Sequence, residues 1–164
     1  MSVSVIDATS TGSTGTVMVS GNMPAFSAYL GTNQSISSNT WTKLAANTKE
    51  FDTASCYDNT TNYRFTPTVA GYYQVTGNIY FNSSSGNSQF QIAIYKNSSL
   101  FKYGTLVYPA GAPAASLANM TILIYMNGTT DYVELYGLQV ASSLPIFSSG
   151  ISNSYFQAAM VRSA

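Results

Sequence analysis

The chain has no histidine, one cysteine, and only six basic and six acidic residues among 164. Without histidine, the usual general base of Ser-His-Asp and Cys-His catalysis is missing. The same absence removes the Cys/His zinc patterns. The lone Cys56 cannot close an intrachain disulfide. The balanced charge gives no field to attract a phosphate backbone or an anionic membrane surface, so neither nucleic acid nor membrane is an expected partner. No apolar run approaches a membrane span. The N-terminus lacks a basic stretch followed by a continuous apolar one, so no signal peptide is expected. Sustained helical periodicity, internal repeats and a Gly-X-Y tract are likewise missing.

Hydroxyls and amides fill the gap left by charge. Charged residues are 7% of the chain, against about 25% in ordinary soluble proteins. Such sparse charge does little to oppose self-association. Hydrophobic residues reach 45%, including 13 tyrosines and 8 phenylalanines, residue types that fill β-sandwich cores and the buried centres of interfaces. A chain of 164 residues suits one domain able to bury about 70% of its extended surface.

The stretch from Phe51 to Phe81 organises the rest. Pro67 fixes φ and Gly71 can take a positive φ, which predicts a tight turn before a strand. Along that strand Tyr73, Val75, Ile79 and Phe81 share one face with Gly77 between them, and Gln74, Thr76 and Asn78 share the other. Further strands are read at Phe26/Ala28/Leu30, Phe90/Ile92/Ile94, Leu100 to Val107, Met120/Ile122/Ile124/Met126, Tyr132 to Val140 and Tyr155 to Val161. Trp41 is expected in the core or between sheets. Asn97-Ser98-Ser99 reads as a turn, and Asn127-Gly128 as a hairpin returning through Tyr132 to Val140. The strand containing Leu123 and Tyr125, and its return, are apolar on both faces, whereas a sandwich strand needs only one. A neighbouring subunit is the expected cover for the second face.

These residues carry a resemblance. Phe51-Asp52, Tyr57-Asp58, then Tyr63-Arg64-Phe65-Thr66 and Ala70-Gly71-Tyr72-Tyr73 resemble the central signature of the C1q-like globular head, within the tumour necrosis factor-like jelly-roll superfamily. Pro24-Ala25-Phe26-Ser27-Ala28 resembles its first strand, Asp131-Tyr132-Val133-Glu134-Leu135 a late strand, and Ser154-Tyr155-Phe156-Gln157-Ala158 its closing strand, where the family more often has Phe-Ser-Gly. The resemblance implies an all-β jelly-roll sandwich of two antiparallel sheets over residues 23–164, assembled as a homotrimer around a threefold axis. Tyr72, Tyr80, Tyr132, Tyr136 and Tyr155 are the candidate interface residues.

No catalytic, cofactor or metal residues are assigned. Glu50 and Asp52 are spaced to share one side of a strand, like an acid/base pair or half of a calcium site, but an exposed edge beside Lys49 is the simpler reading. Asp58-Asn59, Asp131 and Glu134 are read as turn or strand surface. The six Asn-x-Ser/Thr triplets, at Asn33, Asn59, Asn82, Asn97, Asn119 and Asn127, carry little weight in so Ser/Thr/Asn-rich a chain.

Residues 1–22 form a separate N-terminal arm. Val3, Val5, Ile6, Val17 and Val19 flank a Gly/Ser/Thr tract and are the candidate docking residues. A nearly bare head with such an arm, and without a collagen stalk or fibre shaft, leads to the expectation of a trimeric decoration or cement protein on a bacteriophage capsid. It would be made in the host cytoplasm, carried on the virion surface, and bound to the major capsid protein or another virion protein. The alternative is a receptor-binding fibre head or recognition module that binds glycan or protein through loops 82–88, 108–115 and 142–153.

Overall fold

The structure, a computed structural model, describes residues 23–83, 89–109, 111, 114–140 and 146–164. The arm and most of the loop at 82–88 lie outside these residues, as do parts of the loops at 108–115 and 142–153. None of the described residues is helical. In chain order the strands are β1 Ala25–Tyr29, β2 Gln34–Ser35, β3 Thr42–Lys43, β4 Thr48–Asp52, β5 Tyr57–Asp58, β6 Arg64–Phe65 and β7 Gly71–Ser83. They continue as β8 Gln89–Lys96, β9 Ser99–Val107, β10 Ala114–Met126, β11 Val133–Val140, β12 Ile146–Phe147 and β13 Tyr155–Ser163.

Two antiparallel sheets result. In the first, β7 is flanked on one side by β10 and on the other by β13, which leads to β1 and then β4. Beyond the end of β13, β12 takes its place beside Phe81 and Asn82 of β7 and carries β2. The second sheet runs β9, β8, β11, β6, β5, with β3 also on β11. After β7 the chain alternates between sheets, placing β8 and β9 in the second, β10 in the first, β11 in the second and β13 in the first. This is the jelly-roll sandwich that the resemblance implied.

Strict alternation places the core. Phe26, Tyr73, Val75, Ile79 and Phe81 from the first sheet are fully buried against Phe65, Phe90, Ile92 and Ile94 from the second. Phe26 stacks on Tyr57 with ring centroids 4.4 Å apart and on Phe65 at 4.7 Å, and meets the Phe156 edge at 5.1 Å. A second aromatic group joins Phe81, Phe90 and Phe147. Asn97 and Ser98 both have positive φ, 51° and 64°, and link the paired Lys96 and Ser99. That geometry matches the twist of the flanking strands.

Four sequence-based expectations are corrected. Gly71 does not adopt a positive φ; it opens β7 in extended form, and glycine is required there because a Cβ would lie 2.4 Å from the Arg162 carbonyl oxygen. The turn before it is held instead by the Tyr73 hydroxyl, which donates to the Val69 carbonyl at 2.7 Å. Asn127-Gly128 is not a hairpin, because β10 pairs with β7 and β11 with β8, so the loop crosses between sheets. Asn127 Oδ1 closes that loop by accepting from the N–H groups of Thr129, Thr130 and Asp131. Trp41 is not in the core; its ring lies against Tyr95 and Tyr103, on the outer side of the second sheet. Finally, Ile146-Phe147 is a strand rather than loop, and Phe147 is fully buried.

Candidate functional site

The described carboxylates are each committed to the fold. Asp58 Oδ1 accepts from the N–H groups of Thr60 and Thr61, and Oδ2 from the N–H and side-chain amide of Asn62. The turn's backbone N–H groups, led by Thr61, hold this carboxyl well below the usual range. Asp52 receives the N–H groups of Cys56 and Tyr57 together with Lys49 Nζ. Glu50 turns instead to the Ser27 hydroxyl at 2.6 Å, so the two carboxylates of β4 have separate partners. Glu134 takes Lys43 Nζ at 2.6 Å. Asp131 pairs with Lys96 at 2.8 Å and accepts from Asn97 Nδ2. Burial works to raise the Asp131 carboxyl, but the contacts from Lys96, Asn97 and the Asn127 N–H together outweigh it and lower it. Among the described residues no three His, Cys, Asp or Glu side chains gather as a metal site. What remains unused is apolar surface.

The outer face of the first sheet carries most of it. Because Tyr73, Val75, Met120 and Ile124 point inward, their neighbours Tyr72, Leu117, Leu123 and Tyr125 point out. Leu123 is 57% exposed and Tyr125 43%. Tyr72 lies opposite Tyr125 in the register and meets its ring edge to face at 5.6 Å. Between these apolar residues run Gln74, Thr76 and Thr121, and the two threonine hydroxyls are 3.0 Å apart. Toward β4 the face dips into a groove of about 320 Å³, lined by Phe51, Gln74, Thr76, Gln157, Ala159 and Val161. The expectation of two-sided apolar strands thus holds for β10, and its second face has no cover among the described residues.

The five candidate tyrosines divide between two faces. Tyr72, Tyr80 and Tyr155 belong to the outward alternation of the first sheet, with Tyr80 opposite Leu117 and Tyr155 opposite Asn78. Tyr132 and Tyr136 lie on the outer side of the second sheet, across the sandwich. Arg64 stacks over the Tyr132 ring at 4.3 Å. Tyr136 packs against Tyr95 at 4.1 Å. Burial, reinforced by the Glu134 carboxylate, pushes the Tyr136 hydroxyl up to about 12. With Trp41 and Tyr103 these rings make an aromatic band over Ala93, which pairs with both Tyr136 and Tyr103 and is fully buried.

Sequence reasoning did not find the groove, since its walls come from three strands that are neighbours only through the order β4, β1, β13, β7. It read Leu100 to Val107 as a strand, but did not foresee that Leu100, Phe101, Tyr103 and Leu106 would all be exposed. Lys102, Gly104 and Thr105 interrupt the apolar residues of this strand, so its pattern alone marks no buried face.

No family model and no curated protein matches the sequence. Solved structures do. The chain is similar to the globular domain of zebrafish complement 1qA protein at 12% identity, covering 86% of this chain and 99% of that one, with a TM-score of 0.59. It is similar to Eiger TNF from S. frugiperda at 9% identity, over 86% and 95% of the two chains, with a TM-score of 0.61. Murine APRIL matches at 6% identity over 85% and 99%, with a TM-score of 0.59. At such identities the likeness is one of fold, and the fold is that of the C1q and TNF globular domains.

Proposed function

We propose that the chain is the non-enzymatic head of a homotrimer that decorates a larger assembly, with residues 1–22 as the attachment arm. The observation that carries this reading is the uncovered apolar face of the first sheet, combined with carboxylates that the fold has already used. A surface of Tyr72, Leu117, Leu123 and Tyr125 is costly to leave in water. Copies of the same chain cover it wherever the protein goes. Three arms on one rigid head then act as linked binding modules, so modest contacts per arm sum to strong attachment. A bacteriophage capsid, with the major capsid protein or another virion protein as partner, supplies threefold positions suited to this valency. The proposed location is accordingly the virion surface.

Cosedimentation with shells that lack this protein tests the proposal. Full-length chain is expected to pellet with shells, and chain lacking residues 1–22 to remain a folded trimer in the supernatant. Equal capture of both forms would remove the arm from the account, and capture of neither would remove the shell.

A second reading is favoured by one observation. The aromatic band of Trp41, Tyr95, Tyr103 and Tyr136 lies on the sheet face opposite the proposed trimer surface. In a recognition head it would be free to meet a glycan or protein receptor, and arm deletion would leave that binding intact.

A further inference from the structure

The outer face of the second sheet holds a cation that the fold leaves unmatched. Among the described residues Lys43, Lys49 and Lys96 each pair with a carboxylate, whereas Arg64 has none; its guanidinium lies over the Tyr132 ring. Lys102 and Arg162 also lack a carboxylate, but both are exposed to water, while Arg64 is half-buried. An unpaired charge is the more costly the less water it keeps.

The local backbone fixes Arg64 in this place. Tyr63, directly before it, has φ 50°, a conformation costly for a bulky residue. The preceding turn holds that conformation. Asn62 donates its N–H and its side-chain amide to Asp58, and its carbonyl accepts from Lys43 Nζ at 2.9 Å. The same ammonium holds Glu134 at 2.6 Å. The one acid of β11 is thus matched where it stands and does not cancel Arg64.

Arg64 stands at one end of a row. Tyr132, Glu134 and Tyr136 follow one another on the outer face, with Tyr95 opposite Glu134 and Ala93 opposite Tyr136. Four residues of strand carry the row about 13 Å from the Arg64 contact to the aromatic band. In that band Tyr95 packs on Tyr136 and Trp41 on Tyr103. The rings are therefore ordered before anything binds. Gln91, two residues before Ala93 on β8, adds an amide beside them.

What the row offers selects its ligand. β11 lies between β8 on one side and β6 and β3 on the other, so its backbone is already paired and a peptide cannot add to it as a strand. Recognition falls to side chains. Rings with hydroxyl edges suit the mixed C–H and O–H surface of a pyranose. A planar guanidinium suits a carboxylate, to which it donates two parallel bonds.

We propose that this face binds an acidic oligosaccharide, with a sugar carboxylate on Arg64 and the neighbouring pyranose rings on the band of Trp41, Tyr95, Tyr103 and Tyr136. This deepens the second reading above and rests on the band as a recognition face; it does not depend on how copies cover the first sheet.

Trp41 is the only tryptophan in the chain, so its emission reports on the band. Full-length protein is titrated with sialyllactose and trigalacturonate, with lactose and maltotriose as neutral counterparts and triglutamate as an acid without sugar rings. Saturation-transfer NMR detects binding anywhere on the protein, and near-ultraviolet circular dichroism checks folding. At least one acidic sugar should shift Trp41 emission and bind at least about tenfold tighter than its neutral counterpart. Arg64→Met, which keeps an apolar stem over Tyr132, should lose that preference and leave neutral-sugar binding unchanged. Tyr103→Ala, at a ring 56% exposed, should weaken both kinds of sugar. Acidic sugars that bind no tighter than neutral ones, or that bind Arg64→Met as well as wild type, would overturn the proposal and leave the band as a recognition face. Triglutamate bound as tightly as the acidic sugars would give the face to a protein partner instead. Trp41 emission that none of the sugars moves would reject a sugar on this face. Binding seen by NMR that neither moves Trp41 emission nor responds to Tyr103→Ala would refute the recognition reading of the band itself.

Discussion

Replacing Phe26 with alanine is expected to lower the stability of the head by about 3–5 kcal/mol, the range for removing a buried aromatic ring. Phe26 is fully buried and touches rings from three other segments, at Tyr57, Phe65 and Phe156. Those partners are fixed by strands from both sheets, so the space left behind cannot collapse without moving the sheets together. The loss is a large fraction of the roughly 5–15 kcal/mol that holds a domain folded. Urea denaturation at a fixed protein concentration measures it, since any copy-to-copy contact adds concentration-dependent stability. A loss below about 1 kcal/mol would mean that this ring is not where the two sheets lock.

Gly128→Val is expected to be at least as damaging, for a different reason. Gly128 has φ +72°, a conformation costly for a β-branched residue, and a Cβ there would lie 2.3 Å from the Ala70 backbone nitrogen and 2.6 Å from the Val69 carbonyl carbon. The obstacle is main chain, held in place by the Tyr73 hydroxyl bond to Val69, and has no rotamer by which to retreat. Strain and overpacking, each about 1–3 kcal/mol, add at this position. The measurement is the fraction of soluble, cooperatively unfolding protein recovered on expression. Wild-type recovery and an unchanged denaturation midpoint would show that the loop between β10 and β11 can move away from the turn before β7.

The Gly128 contact also shows where reading the sequence stopped short. Period-two alternation located the inward residues of β7, β8 and β10, because alternation is a local property and a buried face imposes it on the sequence directly. Which sheet a strand joins is set by distant partners. Asn127-Gly128 has the local chemistry of a hairpin, yet the loop is longer, closed by the Asn127 side chain and tied through Asp131 to Lys96 and Asn97 of a different turn. Trp41 is a large apolar residue of the kind that fills cores, but it precedes a strand of two residues, and its ring lies against Tyr95 and Tyr103 on the outer side of the second sheet. A strand of two residues, such as β3 or β12, carries no period from which to read a face.

The same limit applies to the surface. That β10 is apolar on both sides was legible, and it pointed to a covering partner. The division of the five tyrosines between opposite faces was not legible, because alternation orders residues within a strand and does not say which of two sheets the strand belongs to. The groove emerges only when strand order is known.

The mass of the native full-length assembly tests the central claim most directly. A particle of three 17.5 kDa chains, persisting at micromolar dilution, is the result expected if copies of the chain cover the outer face of the first sheet. A single 17.5 kDa species at every concentration would contradict the account, because Tyr72, Leu123 and Tyr125, uncovered among the described residues, would then have no copy of the chain to cover them.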